Sequence, residues 1–317
     1  MIAAKCPLRI SLAGGSTDLQ EFVDEYGGGE VINFAANIYT YTTINQDLFG
    51  LSATQNKYIT NYSLREESSN INDIKNDVVR ECFNYFNTPP VTSSLTADIF
   101  SSGSGLASSS SYLISFIKAT AYKKGVSLTN EKICELALQL ERKFNPLTGY
   151  QDPYGCGIGG LKKLTITAPS NVSVKQLDAV ALKNIDMYLC HTGISRSSTR
   201  LLKKVNISKA KKLLPLVKQT ERALQKEDPA ELLELISEGW IKKIESCPDV
   251  ISHPDVKSLN LLLHKEPSIL SHRLCGAGNG GFFLIFAKPN WKPLINNLEN
   301  KCVKINISNK GAQVKKL

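Results

Sequence analysis

Long apolar runs are missing from this 317-residue chain. The longest, at 282–287, is strand-sized and far short of the roughly 20 residues a membrane-spanning helix needs. Paired cysteines are missing as well. Cys6, Cys82, Cys134, Cys156, Cys190, Cys247, Cys275 and Cys302 stand singly, with no Cys-x-x-Cys spacing, and read as reduced, mostly buried thiols. The four histidines form no His-Glu-x-x-His pattern, which argues against a metal held by nitrogen or sulfur and leaves open a hard cation on oxygen ligands. The first residues, MIAAKCPLRI, contain no apolar segment followed by a small-residue cleavage site, so no secretory leader is expected and a cytoplasmic location is. No repeat or long low-complexity tract occurs.

What remains is ordinary globular composition, 42% apolar and 21% charged, in a chain long enough for two domains. The net charge of +9 fits either a lysine-rich surface or an anionic partner. Lysine pairs such as 162-163, 203-204, 211-212, 242-243 and 315-316 are dispersed with acids between them, unlike a nucleic-acid stripe. Neither nucleic acid nor membrane is therefore expected as a partner.

Period-two and β-branched segments predict strands at 31–44, 58–63 and 95–100. Helical periodicity covers 71–86, 109–124 and 130–144, with Thr129 as an N-cap. A strand at 186–190 leads into helices near 197–204, 213–226, 229–245 and 254–264, where Pro229 and Pro254 suit first-turn positions. Strands at 272–275 and 281–287 flank a glycine-rich turn, and a helix at 291–300 and a strand at 302–307 follow. Without regular βαβ alternation the pattern is α+β, in two lobes of 1–175 and 176–317.

Chemistry concentrates after the strand ending at Phe100, where a Gly/Ser loop from Ser101 to Ser111 runs into an amphipathic helix. Glycines let backbone approach a ligand closely, the helix start offers unpaired N–H groups, and serine hydroxyls suit phosphate and magnesium. A flexible linker with a serine cap fits the same residues. There is no Gly-Lys-Ser/Thr ending, so the loop is not a P-loop, and Gly103-x-Gly105 lacks the rest of a dinucleotide fingerprint. Three other segments stand with it: Pro7–Asp18, a strand running into Ala13-Gly14-Gly15-Ser16-Thr17-Asp18; Gly149-Tyr150-Gln151-Asp152-Pro153-Tyr154-Gly155; and Cys275-Gly276-Ala277-Gly278-Asn279-Gly280-Gly281. From the residues alone, Glu141 continues the stripe of Ile133 and Ala137 near a helix C-terminus, where the dipole disfavours an anion. A nearby cation or an ordinary ion pair would both account for it, and Asp152 also fits a plain turn carboxylate before proline.

Taken in order, the four segments resemble the GHMP kinases, the family of galactokinase, homoserine kinase, mevalonate kinase and phosphomevalonate kinase. The resemblance spans nearly the whole chain. It implies an N-terminal lobe like domain 2 of ribosomal protein S5 and a ferredoxin-like C-terminal lobe, with ATP and Mg²⁺ as cofactors. Carried onto this sequence, it implies that Ser102, Gly103, Ser104, Gly105, Leu106, Ala107, Ser108, Ser109 and Ser110 cradle the nucleotide. Ser109 and Glu141, the latter eleven positions before Asp152, would hold Mg²⁺. Asp152 would be the catalytic carboxylate and Arg9 its basic neighbour.

Within the family, Pro7–Asp18, Gly103-Ser104-Gly105-Leu106, Gln151-Asp152 and Thr192-Gly193-Ile194-Ser195-Arg196-Ser197 resemble heptose 7-phosphate kinases and fucokinase-type kinase domains. The implied acceptor is a sugar phosphate phosphorylated at its anomeric hydroxyl. Its site would draw on Gly15, Ser16, Thr17, Asp18, Gln151, Tyr154, Thr192, Gly193, Arg196, Gly276, Ala277 and Gly278, with Lys242 and Lys243 as further cations. A free-sugar kinase and an inactive sugar- or nucleotide-binding relative are the alternatives. Three departures from the family pattern stand out: Ala107 for glycine, Ser101-Ser102 where proline is common, and Asn279 within the last glycine run.

Overall fold

The computed structural model describes residues 1–45, 56–99, 103–195, 206–293 and 301–317. Two antiparallel strands, β1 (Ile2–Ala13) and β2 (Gly28–Asn45), form the spine of the first sheet. At 18 residues, β2 is long enough to pair β1 along one edge and two strands along the other. These are β6 (Leu161–Thr167) at its start and β5 (Thr92–Ala97) at its end. β3 (Tyr58–Asn61) and β4 (Arg65–Ser68) extend the sheet beyond β5, and β7 (Asn171–Leu177) pairs β6. The last strand, β12 (Gln313–Lys316), returns from the C-terminus to pair the other edge of β1.

A short helix, α1 (Gln20–Tyr26), lies between β1 and β2, and one face of this sheet is covered by α2 (Asp77–Phe86), α3 (Ser108–Lys123) and α4 (Asn130–Glu141). Their apolar stripes meet β1 and β2 in a core containing Phe83, Phe116, Leu113 and Ile117. The α2 helix starts later than periodicity implies. A 3-10 turn at Ile71–Asp73 comes first, and Asn76 then caps the helix by accepting from the Val79 N–H. Thr129 caps α4 in the same way.

The second sheet has the order β11 (Cys302–Ile305), β8 (Asp186–His191), β10 (Phe282–Ala287), β9 (Ile269–Leu274). In sequence order this is fourth-first-third-second, all antiparallel, the ferredoxin-like arrangement. Its helices include α7 (Leu214–Gln225), α8 (Pro229–Ser246) and α9 (Pro254–Lys265), with α6 (Ile207–Ala210) preceding them. Pro229 and Pro254 occupy their first turns, behind Asp228 and His253 caps. The helices expected at 197–204 and 291–300 fall wholly or largely outside the described residues.

The largest core cluster joins the lobes. It brings Leu8, Ile10 and Leu12 of β1 against Leu284 and Phe286 of β10 and against Leu216, Leu232 and Ile236 of α7 and α8. The chain is thus two-lobed α+β, with β1 at the seam.

Candidate active site

A register shift between Pro7 and Arg9 gives β1 a different facing along its length. Before the shift, even-numbered Ala4 and Cys6 pack under the helices of the N-terminal lobe. After it, Leu8, Ile10 and Leu12 face the C-terminal lobe, while Arg9 and Ser11 line a cavity of about 440 Å³ between the lobes. The irregularity thereby puts a guanidinium into the cleft.

Arg9 is 5% exposed. Its Nε and Nη2 both donate to Oδ1 of Asp152, at 2.9 and 2.5 Å, and its Nη1 donates to the Gly105 carbonyl at 2.8 Å. Burial alone would lower its pKa, but the charge and hydrogen bonds of Asp152 raise it. One side chain therefore ties the Gln151–Asp152 segment to the Gly/Ser loop. Asp152 lies in the first turn of a short helix, α5 (Gln151–Gly157), rather than in an open turn. The helix lies close to β1 because residue 155 is glycine, where a Cβ would sit 2.8 Å from the Arg9 Cβ. Fully buried Lys162 donates to the Gly155 and Gly160 carbonyls and secures the far end of α5.

Asp18 approaches from the other side. It is 4% exposed, and its Oδ2 accepts from the Gln151 N–H at 3.0 Å. Burial, reinforced by the charge of Asp152, pushes its pKa up to about 6. Two carboxylates, Asp18 and Asp152, therefore flank the cavity in different environments, one of them paired to arginine.

The Gly/Ser loop meets α3 at Ala107, whose φ of 60° and ψ of 45° are left-handed. No side chain caps the first turn of α3, so its leading N–H groups stay available at the cavity wall. Ser104 accepts from the Leu106 N–H and shares a hydrogen bond with Ser108, which shapes the loop. The serine run then divides. Ser108 and Ser109 line the cavity, whereas Ser110 and Ser111 are buried. Ala107→Gly is expected to stabilise the fold by about 1 kcal/mol by removing the strained Cβ. Thermal melting should rise by about 2–4 °C, and an unchanged or lower Tm would contradict the strain.

Glu141, at the last turn of α4, is fully buried. Its Oε1 accepts from Ser109 at 2.5 Å and its Oε2 from Ser110. Desolvation pushes its pKa up to about 7 against the opposing effect of those two hydroxyls. No described lysine or arginine pairs with it. The surface ion pair that its sequence context allowed is therefore not formed among the described residues. A buried carboxylate beside a serine hydroxyl, lacking a counter-charge, suits a hard cation on oxygen ligands.

Of the sequence-derived residues, Arg9, Gly15, Ser16, Asp18, Gly103, Ser104, Gly105, Ala107, Ser108, Ser109, Gln151, Asp152, Gly276 and Ala277 line one cavity. Others do not. Thr17 is buried, donating to the Glu30 carbonyl. Tyr154 packs in an apolar cluster with Val23, Val31 and Leu164. Leu106 belongs to the interlobe core, Thr192 donates to the Gly281 carbonyl beside Gly193, and Gly278 is covered by Val250. Ser102 and Arg196 lie outside the described residues. Lys243 lines the cavity; Lys242 instead pairs with Glu238. Asn279 adopts φ of 57°, a region asparagine tolerates, and its side chain accepts from the His253 N–H at 2.7 Å. Its place in the glycine run is thus explained by local structure.

Arg273 was not among the sequence-derived residues, although it lines the cavity at 3% exposure. The available signal was an arginine near the end of a short strand, two residues before the glycine-rich turn. Four of the ten buried side-chain atoms without a partner among the described residues belong to this cavity: Ser11 Oγ, Asn145 Oδ1, Gln151 Oε1 and Arg273 Nε. Buried polar atoms are normally satisfied, so their clustering marks a place for a polar ligand.

Residues 73–160 match the family described as "GHMP kinases N terminal domain". The chain is similar, at 28% identity over 314 residues, to the D-glycero-alpha-D-manno-heptose 7-phosphate kinase of Campylobacter jejuni, covering 92% of this chain and 91% of that one. A D-glycero-D-manno-heptose 1-phosphate kinase structure from Bacteroides thetaiotaomicron matches with a TM-score of 0.76 at 21% identity, covering 100% and 99% of the two chains. The mevalonate kinase of Methanococcus jannaschii matches with a TM-score of 0.73 at 18% identity and 98% coverage of each. These solved structures share the two-lobed fold.

Proposed function

We propose that this chain is an ATP-dependent kinase that phosphorylates the anomeric hydroxyl of a sugar phosphate, with D-glycero-D-manno-heptose 7-phosphate as the foremost acceptor. The observation that carries this reading is the three-way bridge made by Arg9. The same guanidinium holds Asp152 and the Gly105 carbonyl of the Gly/Ser loop, so acceptor and phosphate sites share one anchor. The 28% identical relative, named as a heptose 7-phosphate kinase, supports the choice of acceptor.

Phosphoryl transfer asks the protein mainly for positioning and charge stabilisation. The nucleotide's phosphates would sit against the uncapped first turn of α3 and the loop 103–109. Arg9 occupies Oδ1 of Asp152, and Oδ2 has no partner among the described residues. Oδ2 is thus free to accept the acceptor's hydroxyl proton, as a base or as an orienting group. Asp18 and Gln151 would hold sugar hydroxyls, the former as acceptor and the latter through its unpartnered Oε1. Ser109 and Glu141 would hold Mg²⁺, whose contribution is to neutralise charge on the transferring phosphates.

An assay of ADP release over a panel of hexoses, heptoses and their phosphates tests the proposal. Heptose 7-phosphate should give kcat/KM at least about tenfold above heptose or fucose. A free sugar leading the panel would transfer the reading to a fucokinase-type activity. Nucleotide binding without turnover of any acceptor would sink it in favour of a non-catalytic relative.

A further inference from the structure

Arg273 carries a charge that none of the roles above uses. On β9 the side chains alternate: Leu274 and His272 contact the core around Phe283, while Ser271 meets Ser237 of α8 and Arg273 reaches β1. Its Nη1 donates to the Leu12 carbonyl, and its Nε is buried without a partner. No described carboxylate answers it, and burial together with the nearby charge of Arg9 lowers its pKa to about 10. Arg9, by contrast, has Asp152. A guanidinium so deeply buried without a counter-charge carries a substantial desolvation penalty, which a bound anion would offset. Lys243 of α8 lies on the same wall and donates to the Gly276 carbonyl. The wall formed by Lys243, Arg273, Gly276 and Ala277 thus presents two cations, while Asp18 and Asp152 stand on the N-terminal lobe.

We propose that Arg273, with Lys243 beside it, forms a phosphate subsite on the C-terminal-lobe wall of the cleft. A planar fork of N–H donors matches phosphate oxygens in a way that a single ammonium does not. The inference rests on the reading of the cleft as a phosphoryl-transfer site. Two phosphates are chemically equivalent candidates, the acceptor's own and the γ-phosphoryl of ATP. The acceptor's own is the better match, because Arg9 and the start of α3 already serve the nucleotide.

The test uses the full chain as wild type, Arg273→Met and Arg273→Lys, titrated with ADP, a β,γ-imido analogue of ATP, heptose, heptose 7-phosphate and inorganic phosphate. Arg273→Met should weaken heptose 7-phosphate binding by roughly 10- to 100-fold, the value of hydrogen bonds to a charged group. ADP and unphosphorylated heptose should stay within about twofold, with Arg273→Lys intermediate for the sugar phosphate. A loss confined to the imido analogue, with ADP unchanged, would also establish the subsite and assign it to the γ-phosphoryl. Equal losses for every ligand, or none for any, would overturn the proposal and leave Arg273 as a structural tie to β1. If the wild type turned over no sugar, only the acceptor reading would fall. Inorganic phosphate binding lost in Arg273→Met would then still carry the subsite, and equal phosphate binding in both proteins would refute it. Should Arg273→Met fail to fold, Arg273→Lys decides: a several-fold loss limited to phosphate-bearing ligands supports the subsite, and a uniform loss counts against it.

Discussion

Asp152→Asn is expected to lower kcat by about 10³-fold while the KM for ATP stays within about twofold. The amide is nearly isosteric and can still accept one hydrogen bond from Arg9, but it cannot take the acceptor's proton. It also withdraws the negative charge that answers a guanidinium only 5% exposed. Some stability should go with it, because a buried cation left without its partner is costly. Because Asp152 is 27% exposed at its side chain, solvent will soften that loss, and the variant should still fold. Steady-state kinetics beside a melting curve separate the two effects. Activity within tenfold of wild type in a folded Asp152→Asn protein would remove Asp152 from the chemistry.

The second large effect is expected at Glu141. Glu141→Gln keeps the volume and an oxygen for Ser109 but supplies no anion for a divalent cation. Turnover should fall by roughly 10²-fold, equivalent to about 3 kcal/mol of lost charge stabilisation, and the Mg²⁺ concentration needed for half-maximal rate should rise steeply. The pH dependence gives an independent signature. Burial raises the folded pKa of Glu141 from the usual 4.5 to about 7. Without metal, the neutral carboxyl is therefore favoured in the fold. Its stabilising contribution is present below pH 4.5 and is lost as pH rises through about 7, by roughly 3 kcal/mol in all. Melting in EDTA should show this fall in wild type and a flatter profile in Glu141→Gln. Added Mg²⁺ should restore stability above pH 7 and release protons below it. A wild-type profile unaltered by Mg²⁺ would refute the metal assignment.

How much of this was legible beforehand differs from one element to the next. The α3 and α4 helices could be placed within a few residues, because their apolar stripes repeat with the helical period and Thr129 is a local cap. The strain at Ala107 could be anticipated because alanine stood where glycine suits a positive φ. The helix α5 was read as a turn, since Gln-Asp-Pro between glycines has too little periodicity to register over seven residues. The short strands β4 and β12 gave no signal either. Strands of four residues acquire their meaning from the partner they pair with, and the partner of β12 is at the opposite end of the chain.

By itself the sequence determined the two-lobed α+β class and the order of the four glycine-bearing segments. These are properties of local pattern and residue type, which survive without coordinates. Only the tertiary structure decided which residues of those segments share a cavity. A register shift in β1 aims Arg9 and Ser11 into the cleft, so Arg9 reaches Asp152, 143 positions away in the chain. It also decided that Tyr154 and Thr17 are packing residues and that Arg273 is a buried cation facing the site. Burial and the absence of a counter-charge are properties of packing between segments distant in sequence, and no local pattern encodes them.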